Sequence, residues 1–520
     1  MHRLFLLLPL FSVIVYAQAI DPVSKTGYES INAADLKVNL TVIASDSLEG
    51  RETTFPGQKK AANYIAGIFR NLNLQAIGDN GTYFQHFNVE VTYVNPETKI
   101  ITDVDGVKKN FMWGTDFISE GAKDTVVSGP AVFVGFTDTE LDSVAQAKLA
   151  GRVVFVLIGK KNFASDTSKA ATMRRLFAIR RDAGAAAALM IPDIEGPATF
   201  QKVQEMMSSL GSDKGTMRMK DSSTQIRQQF IRFLVSSELA ETVLKPSGKS
   251  LKQLKNEALL DQQFAPVFVD NATVTIISKV MHETKQTENV LGFLPGNDPD
   301  LKSQVVIFTA HYDHLGKSRI GILYPGADDD GSGTVTILEL AKAFAANPIK
   351  PKRSLLFMTL TGEEKGLFGS KYYTSNPIIP LEKTMADLNM DMVGRIDTIH
   401  EANKDTNYTY VIGSDKISLE LDSLLRIANN ESEHLTLDYT FNGDHDPERF
   451  YYRSDHYNFA KNGVPVVFFF DGVHRDYHKP TDTVDKILFE RMAKIGRLIY
   501  DLGWRLANLD HPLTKILVQQ

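Results

Sequence analysis

From Asn289 onward, short apolar runs alternate with amphipathic stretches, and this alternation limits the folds open to the chain more than any other feature. "VVIFTAH" (305–311) precedes a stretch from Thr334 to Asn347 in which Ile337, Leu338, Ala341 and Phe344 share a helical face. "SLLFMTL" (354–360) leads into "TGEEKGLFGSKYYTSN", again strand then helix, and "MADLNMDMVG" and "VPVVFFFDG" are further strand-like runs. Val484 to Asn508 reads as a long amphipathic helix carrying Ile487, Leu488, Met492, Ile495 and Ile499. Apolar strands alternating with helices imply an α/β fold: a mostly parallel or mixed central sheet flanked by helices on both faces.

The rest of the chain has other textures. Residues from "DLKVNL" to "LQAIG" read as two helices around a polar loop, with Ala61, Tyr64, Ile65, Ile68 and Phe69 at helical spacing in the second. The section 111–268 carries strand-like runs ("AVFVGF", "GRVVFVLIG"), an alanine-rich passage ("AGAAAALMIP") and a polar tract from Gln201 to Gln225. It holds no clustered His, Asp or Glu, so it reads as a β-rich α+β section without chemistry of its own. The expected organisation is a leader at 1–19, a first part at 20–110, the insert at 111–268, and a second part at 269–520.

The leader is expected from His2 and Arg3, the apolar run Leu4–Val15 and the small-x-small end Ala17-Gln18-Ala19, which together have the layout of a secretory signal peptide. An apolar core this short, broken by Pro9, does not span ~30 Å of hydrocarbon, and no later stretch does either. The mature protein is therefore expected to be secreted or periplasmic, without a membrane span. A formal charge of -6 over 520 residues, with no Lys/Arg block, argues against nucleic acid as a partner. The chain has no cysteine, which removes disulfides, thiolate ligands and a cysteine nucleophile, so any metal must be held by His, Asp or Glu. Asn39-Leu-Thr41 and Asn271-Ala-Thr273 fit the N-glycosylation triplet.

The polar residues of interest each follow an apolar run. His311 and Asp313 follow "VVIFTA", Glu363 and Glu364 follow "LLFMTLTG", Asp391 follows "MADLNM", and Tyr477-His478 lie in the loop after "VVFFF". In open α/β sheets the crevice beyond the strands' carboxyl ends is where ligands bind, so separate segments aim acids and imidazoles into one place. Between them, "PGADDDGSGT" sets Asp328, Asp329 and Asp330 on one turn. Three readings compete for that turn: a charged helix start, worth ~0.3–1 kcal/mol with no function, a calcium loop, or a carboxylate offered to transition metals. The spaced order and terminal glutamate of a calcium loop are missing. Clustered carboxylates with imidazoles and no sulfur suit zinc or a similar divalent ion.

Six motifs, in this order, carry a resemblance: "AHYDHLG", "PGADDDGSGT", "TGEEKGLFGS", "LNMDMVG", "RSDHYNFAKNGVP" and "DYHKPTDT". They resemble the secreted di-zinc aminopeptidase family, in the clan of glutamate carboxypeptidase II and the transferrin receptor, and the insert resembles a protease-associated domain. The resemblance implies two Zn2+ ions (or Co2+ or Mn2+), bridged by Asp329. One would add His311 and Asp391, the other Glu364 and His478. Asp313 would hold the second nitrogen of His311, Glu363 would be the general base, and Tyr477 and Arg453 would bind the carbonyl oxygen or the substrate. Asp328 and Asp330 would be turn or capping groups. His314, His445, His456 and His474 receive no role beyond a structural or surface one.

That division of labour suits peptide hydrolysis, which needs an activated water and a stabilised tetrahedral oxyanion. The substrates implied are peptides with a free N-terminus. Rival readings are a carboxypeptidase, dipeptidase or glutaminyl cyclase of the same clan, or a receptor that kept the fold and lost catalysis. A receptor should have lost ligands, whereas all six residues of the expected machinery are present.

Overall fold

The computed structural model describes residues 21–516 except 22, 120–122, 138–147, 159–175, 177, 193–214, 220–230, 261–263 and 319–320. The expected leader at 1–19 and most of the tract from Gln201 to Gln225 lie outside the described residues. The chain divides into two compact units: residues 1–86, 288–316 and 324–520 form one, and 87–287 with 317–323 the other.

The first unit is built on a mixed sheet. Its strands are β1 (Phe84–Val94), β2 (Val280–Leu294), β3 (Val305–His311), β4 (Ser354–Leu360), β5 (Thr384–Met390), β6 (Tyr408–Ile412), β7 (Thr436–Asp438) and β8 (Val466–Phe470). Among the described residues they lie in the order β7-β6-β8-β5-β3-β4-β2-β1, with a ninth strand, Thr216–Met219, antiparallel beside β1; β1 beyond residue 86 and β2 before residue 288 lie outside the first unit. The central four, β8-β5-β3-β4, are mutually parallel. β2 joins β4 antiparallel, and β6 joins β8 antiparallel. The apolar runs are thus the strands the sequence suggests, each buried along its whole length.

Alternating side chains explain why both faces need cover. Val306, Phe308 and Ala310 of β3 enter one core with α1 (Ala33–Ile43), α2 (Pro56–Asn71), α3 (Gly333–Ala346) and α6 (Phe489–Asn508). Val305 and Ile307 enter another with Tyr373 of α4 (Phe368–Ser375) and Phe459. Gly503 lets α6 lie directly on β3, since a Cβ there would come within 2.6 Å of the Phe308 ring. Phe344 packs among Phe308, Phe357, Tyr500 and Trp504. Truncating a ring so enclosed costs about 3–5 kcal/mol.

The second unit has its own sheet of eight strands, among the described residues, in the order 107–112, 99–104, 267–278, 125–136, 153–158, 187–192, 232–235, 117–119. Its core centres on Phe133, Phe155, Leu189 and Phe233. The expected insert boundaries at 111 and 268 cut through this sheet. The strands at 99–104 and 107–112 pair with each other, and 99–104 pairs with 267–278. The polar, exposed character of 107–112 hides its membership, because only Phe111 of that strand is buried. The alanine-rich passage ends in a buried strand at Ala187–Pro192.

Candidate metal centre

Because β8, β5, β3 and β4 run parallel, their carboxyl ends share one edge of the sheet. His311 is the last residue of β3, Asp391 directly follows β5, Glu363 and Glu364 lie three and four residues past β4, and His478 is in the loop after β8. The three aspartates sit on the turn that leads into α3, all buried, and each does a different job. Asp330 accepts hydrogen bonds from the main-chain N–H groups of His311, Gly333 and Met392, tying α3 to the ends of β3 and β5. Asp328 accepts from the Gly394 N–H and places its other oxygen 3.1 Å from His474 Nε2. Asp329 alone faces the cluster. Asp328 and Asp330 thus brace the turn by accepting main-chain N–H groups, and His474 is a structural partner of Asp328.

Arg51, from the polar loop between α1 and α2, was not singled out by the sequence. It is wholly buried and donates to the carbonyls of Ile43, Tyr312, Pro325 and Gly326. One guanidinium therefore joins the turn after β3 to the aspartate turn. Burial lowers its pKa to about 10, against the pull of Asp329, Asp330, Asp482 and Asp313. It stays charged at neutral pH. A lone arginine in a polar loop carries no motif signal, so sequence reasoning had nothing to find it by.

Two groups of ligand atoms share Asp329. His311, Asp329 and Asp391 form one, and His314, Asp329 and Glu364 the other, with atoms within 4.8 Å of one another in each. His311 Nε2 lies 3.4 Å from Asp329 Oδ1 and 3.5 Å from Asp391 Oδ1. His478 Nε2 lies 3.1 Å from Asp329 Oδ2 and 3.3 Å from Glu364 Oε2. All five expected ligands therefore converge. The donors fit a divalent cation on a physical ground: Asp329 Oδ2 and Glu364 Oε1 are buried without an aligned hydrogen bond, although imidazole nitrogens lie near.

Two expectations need correction. Of the structural or surface role expected of His314, the surface alternative falls: it is fully buried, with Nδ1 2.8 Å from Glu364 Oε1. Asp313 holds His311 through its main-chain carbonyl, 3.1 Å from Nδ1, with the carboxylate 3.8 Å away. That carboxylate instead accepts from the Thr53 hydroxyl and the Glu363 N–H, which places the glutamate pair. Either way Nδ1 of His311 is engaged and Nε2 is left for the cluster.

The charge states follow from the packing. Burial would lower His311, but Asp391 and Glu363 hold it well above the ordinary imidazole value. Burial likewise opposes, and Glu364 and Asp329 outweigh, in raising His478. Asp329 is brought well below the carboxylate range despite its burial, by His314, His311 and His478. Glu364 is also depressed against its burial, chiefly by His478. Glu363 goes the other way: burial pushes it well above the usual value, and Asp391 and Glu364 add to the rise. The neighbouring glutamates thus have opposite affinities for a proton.

Glu363, Asp391, Arg453, Tyr477 and His478 line one pocket with about 380 Å³ of non-protein space, walled by Met392, Phe450, Phe468, Phe470 and Val473. The Tyr477 ring stacks on His478 at 3.9 Å, and burial beside Asp329 and Glu364 keeps its phenol protonated. Arg453 lies over the Phe450 ring and reaches the Glu448 carbonyl. His456 is buried against Phe468 and Tyr451, and His445 is exposed, so neither joins the cluster.

Residues 289–503 match the sequence profile described as Peptidase family M28. This part of the chain is similar to that family. Leucine aminopeptidase 1 of Arthroderma otae is 29% identical over 230 residues, covering 42% of this chain and 58% of that protein. Aminopeptidase YwaD of Bacillus subtilis is 28% identical over 267 residues, covering 48% and 49%. The chain thus spans between about half and three-fifths of these relatives' lengths. Among solved structures, a zinc aminopeptidase from Bacillus subtilis superposes with TM-score 0.55 at 18% identity, over 92% of this chain and 96% of that one. An aminopeptidase from Aneurinibacillus sp. strain AM-1 gives 0.54 at 18%, over 94% and 97%. These two likenesses establish the fold.

Proposed function

We propose that the protein is a secreted or periplasmic aminopeptidase, dependent on two divalent ions, zinc foremost with cobalt or manganese as substitutes. The observation that carries this reading is the pair of donor groups sharing Asp329 at the head of a pocket with one apolar wall. His311, Asp329 and Asp391 would hold one ion, and Asp329, Glu364 and His478 the other. When bound, such a pair supplies Lewis acidity, lowering the pKa of a water and polarising a carbonyl. The remaining work belongs to the chain. Glu363 lines the pocket with its side chain nearly buried, 3.9 Å from His311 Nε2, so it can take the attacking water's proton and pass it to the leaving amine. The Tyr477 hydroxyl, kept protonated, can donate to the developing oxyanion, and Arg453 supplies a fixed cation at the pocket wall. Phe450, Phe468, Phe470, Val473 and Met392 suit an apolar N-terminal side chain, in keeping with the leucine aminopeptidase named above.

The substrates on this reading are peptides with a free N-terminus. The second unit is proposed as a protease-associated domain that supplies no ligand, which its lack of a described donor group supports. Export rests on the leader pattern at 1–19, and N-terminal sequencing of the exported protein tests it: a chain beginning near Ile20 is expected, and one retaining Met1 overturns it. The activity is tested with aminoacyl substrates after metal analysis. Turnover of leucyl or phenylalanyl substrates, abolished by chelation and by N-acetylation of the substrate, is expected. Equal turnover of the acetylated peptides would replace the aminopeptidase reading with a carboxypeptidase one.

A further inference from the structure

The ligand assignment above uses one imidazole on each side of Asp329 and leaves His314 without a task. Yet His314 is fully buried, and neither of its ring nitrogens has a hydrogen-bond partner. Its Nδ1 lies 2.8 Å from Glu364 Oε1 and 3.8 Å from Asp329 Oδ2. Those two oxygens are themselves buried without aligned partners. Three buried polar atoms converging in one place without aligned hydrogen bonds form an arrangement that a cation would complete.

The ring is also held in place. A Cβ on Gly326 would fall 2.5 Å from His314 Cγ and Cδ2, so the left-handed glycine backbone presses against the imidazole. The His314 N–H donates to the Arg51 carbonyl, fixing the main chain on the other flank. His478 approaches the same two carboxylates, its ring centroid 5.9 Å from that of His314.

We infer that His314 is a direct ligand, through Nδ1, of the ion held by Asp329, Glu364 and His478. The inference rests on the metal-dependent reading proposed above. It makes the two sites unequal: four protein donors on the His314 side, three on the His311 side. A fully protein-ligated site is the closed, tight kind, whereas three protein ligands leave a position open to water or substrate. Zinc therefore fills the protein in two steps, the His314 side first.

The test is competition of metal-free, full-length protein with a chromophoric chelator for zinc. Unaltered protein is expected to bind two ions with distinct affinities. His314→Ala should weaken the tighter step by more than about 100-fold, beyond the roughly 10–100-fold that losing an outer partner costs, and leave the weaker step in place. A smaller loss, or a loss confined to the weaker step, overturns the assignment. If His314→Ala fails to fold by circular dichroism, zinc-loaded crystals of the unaltered protein decide. An Nδ1–zinc distance of about 2.0–2.1 Å supports the inference, and a separation beyond hydrogen-bond length overturns it. Unaltered protein that binds no zinc would remove the metal-dependent reading itself, a separate outcome.

Discussion

His311 and His314 stand three residues apart, both fully buried, yet they join different donor groups around Asp329. The His311 side is built on strands. His311 ends β3, Asp391 follows β5, and the two strands are paired in register up to Thr309 and Asn389. The ladder places these side chains. On the other side His314, Glu364 and His478 all come from loops, and His478 is held at φ 56°. There the ladder gives no help, and placement falls to a buried polar frame: Arg51 on four carbonyls, Asp482 accepting from the Asp328 and Asp329 N–H groups, and Asp313 accepting from the Glu363 N–H. A sheet edge supplies a rigid half-site for the cost of strand formation alone. A loop half-site needs a second set of residues to hold it.

Breaking the element common to both sides should have the largest effect. Asp329→Asn removes the shared carboxylate, so metal content should fall from two ions to nearly none and turnover to background. Asp391→Ala, which touches the strand-built side only, should leave one ion in place. Retention of both ions by Asp329→Asn, measured by elemental analysis of the folded protein, would end the shared-carboxylate account.

Next comes the glutamate pair. Glu363→Gln keeps size and polarity but cannot take a proton from water at neutral pH, so kcat should drop by roughly 10²–10⁴ with both ions retained and KM little changed. Glu364→Gln weakens a ligand, so one ion should be lost and excess zinc should restore part of the turnover. Finding the two phenotypes exchanged would reverse the roles.

The same contrast explains what the sequence discloses. Strand-borne chemistry is legible because an apolar run announces the strand and the next acid or imidazole marks its end, as with His311 and Asp391. Glu363, Glu364 and His478 also follow apolar runs, but from loops, and the resemblance of short motifs is what implies their roles. The frame was not: Arg51 lies in a loop read only as polar, and its partners are main-chain carbonyls that no residue pattern encodes. The resemblance gives His314 no role, and the path of the turn that buries it is not written in residue types. The insert boundaries failed for a related reason, since an edge strand such as 107–112 buries little and lacks the apolar signature of the strands beside it.

Arg51 gives the third prediction. Arg51→Met should leave four carbonyls without their donor and remove the buried cation that faces Asp313, Asp329, Asp330 and Asp482. Removing one member of a buried charged network costs about 3–5 kcal/mol. Denaturant unfolding of metal-free protein should show a loss of that size, with Glu363→Gln close to unaltered protein in the same assay. A loss under about 1 kcal/mol would mean the frame is dispensable and the loop side is placed by other contacts.

The smallest effect concerns an imidazole that the cluster excludes. His311 and His478 are raised by carboxylates, whereas His456, buried against Phe468 and Tyr451, is lowered by its burial to about 3. The folded protein therefore holds His456 neutral while the unfolded chain protonates it near the ordinary value of about 6.5. Between those two values the unfolded state binds the extra proton, so stability falls as pH falls, by about 1.4 kcal/mol per pH unit for this group. His456→Phe keeps an aromatic ring in the stack and removes the proton. Measured by urea unfolding at pH 6.5 and pH 5, the variant should lose roughly 2 kcal/mol less than the unaltered protein over that interval. The comparison isolates His456, because every other group titrates in both proteins. Equal acid losses in the two would show that His456 is not held neutral, and that the wall behind the pocket is wetter than its packing implies.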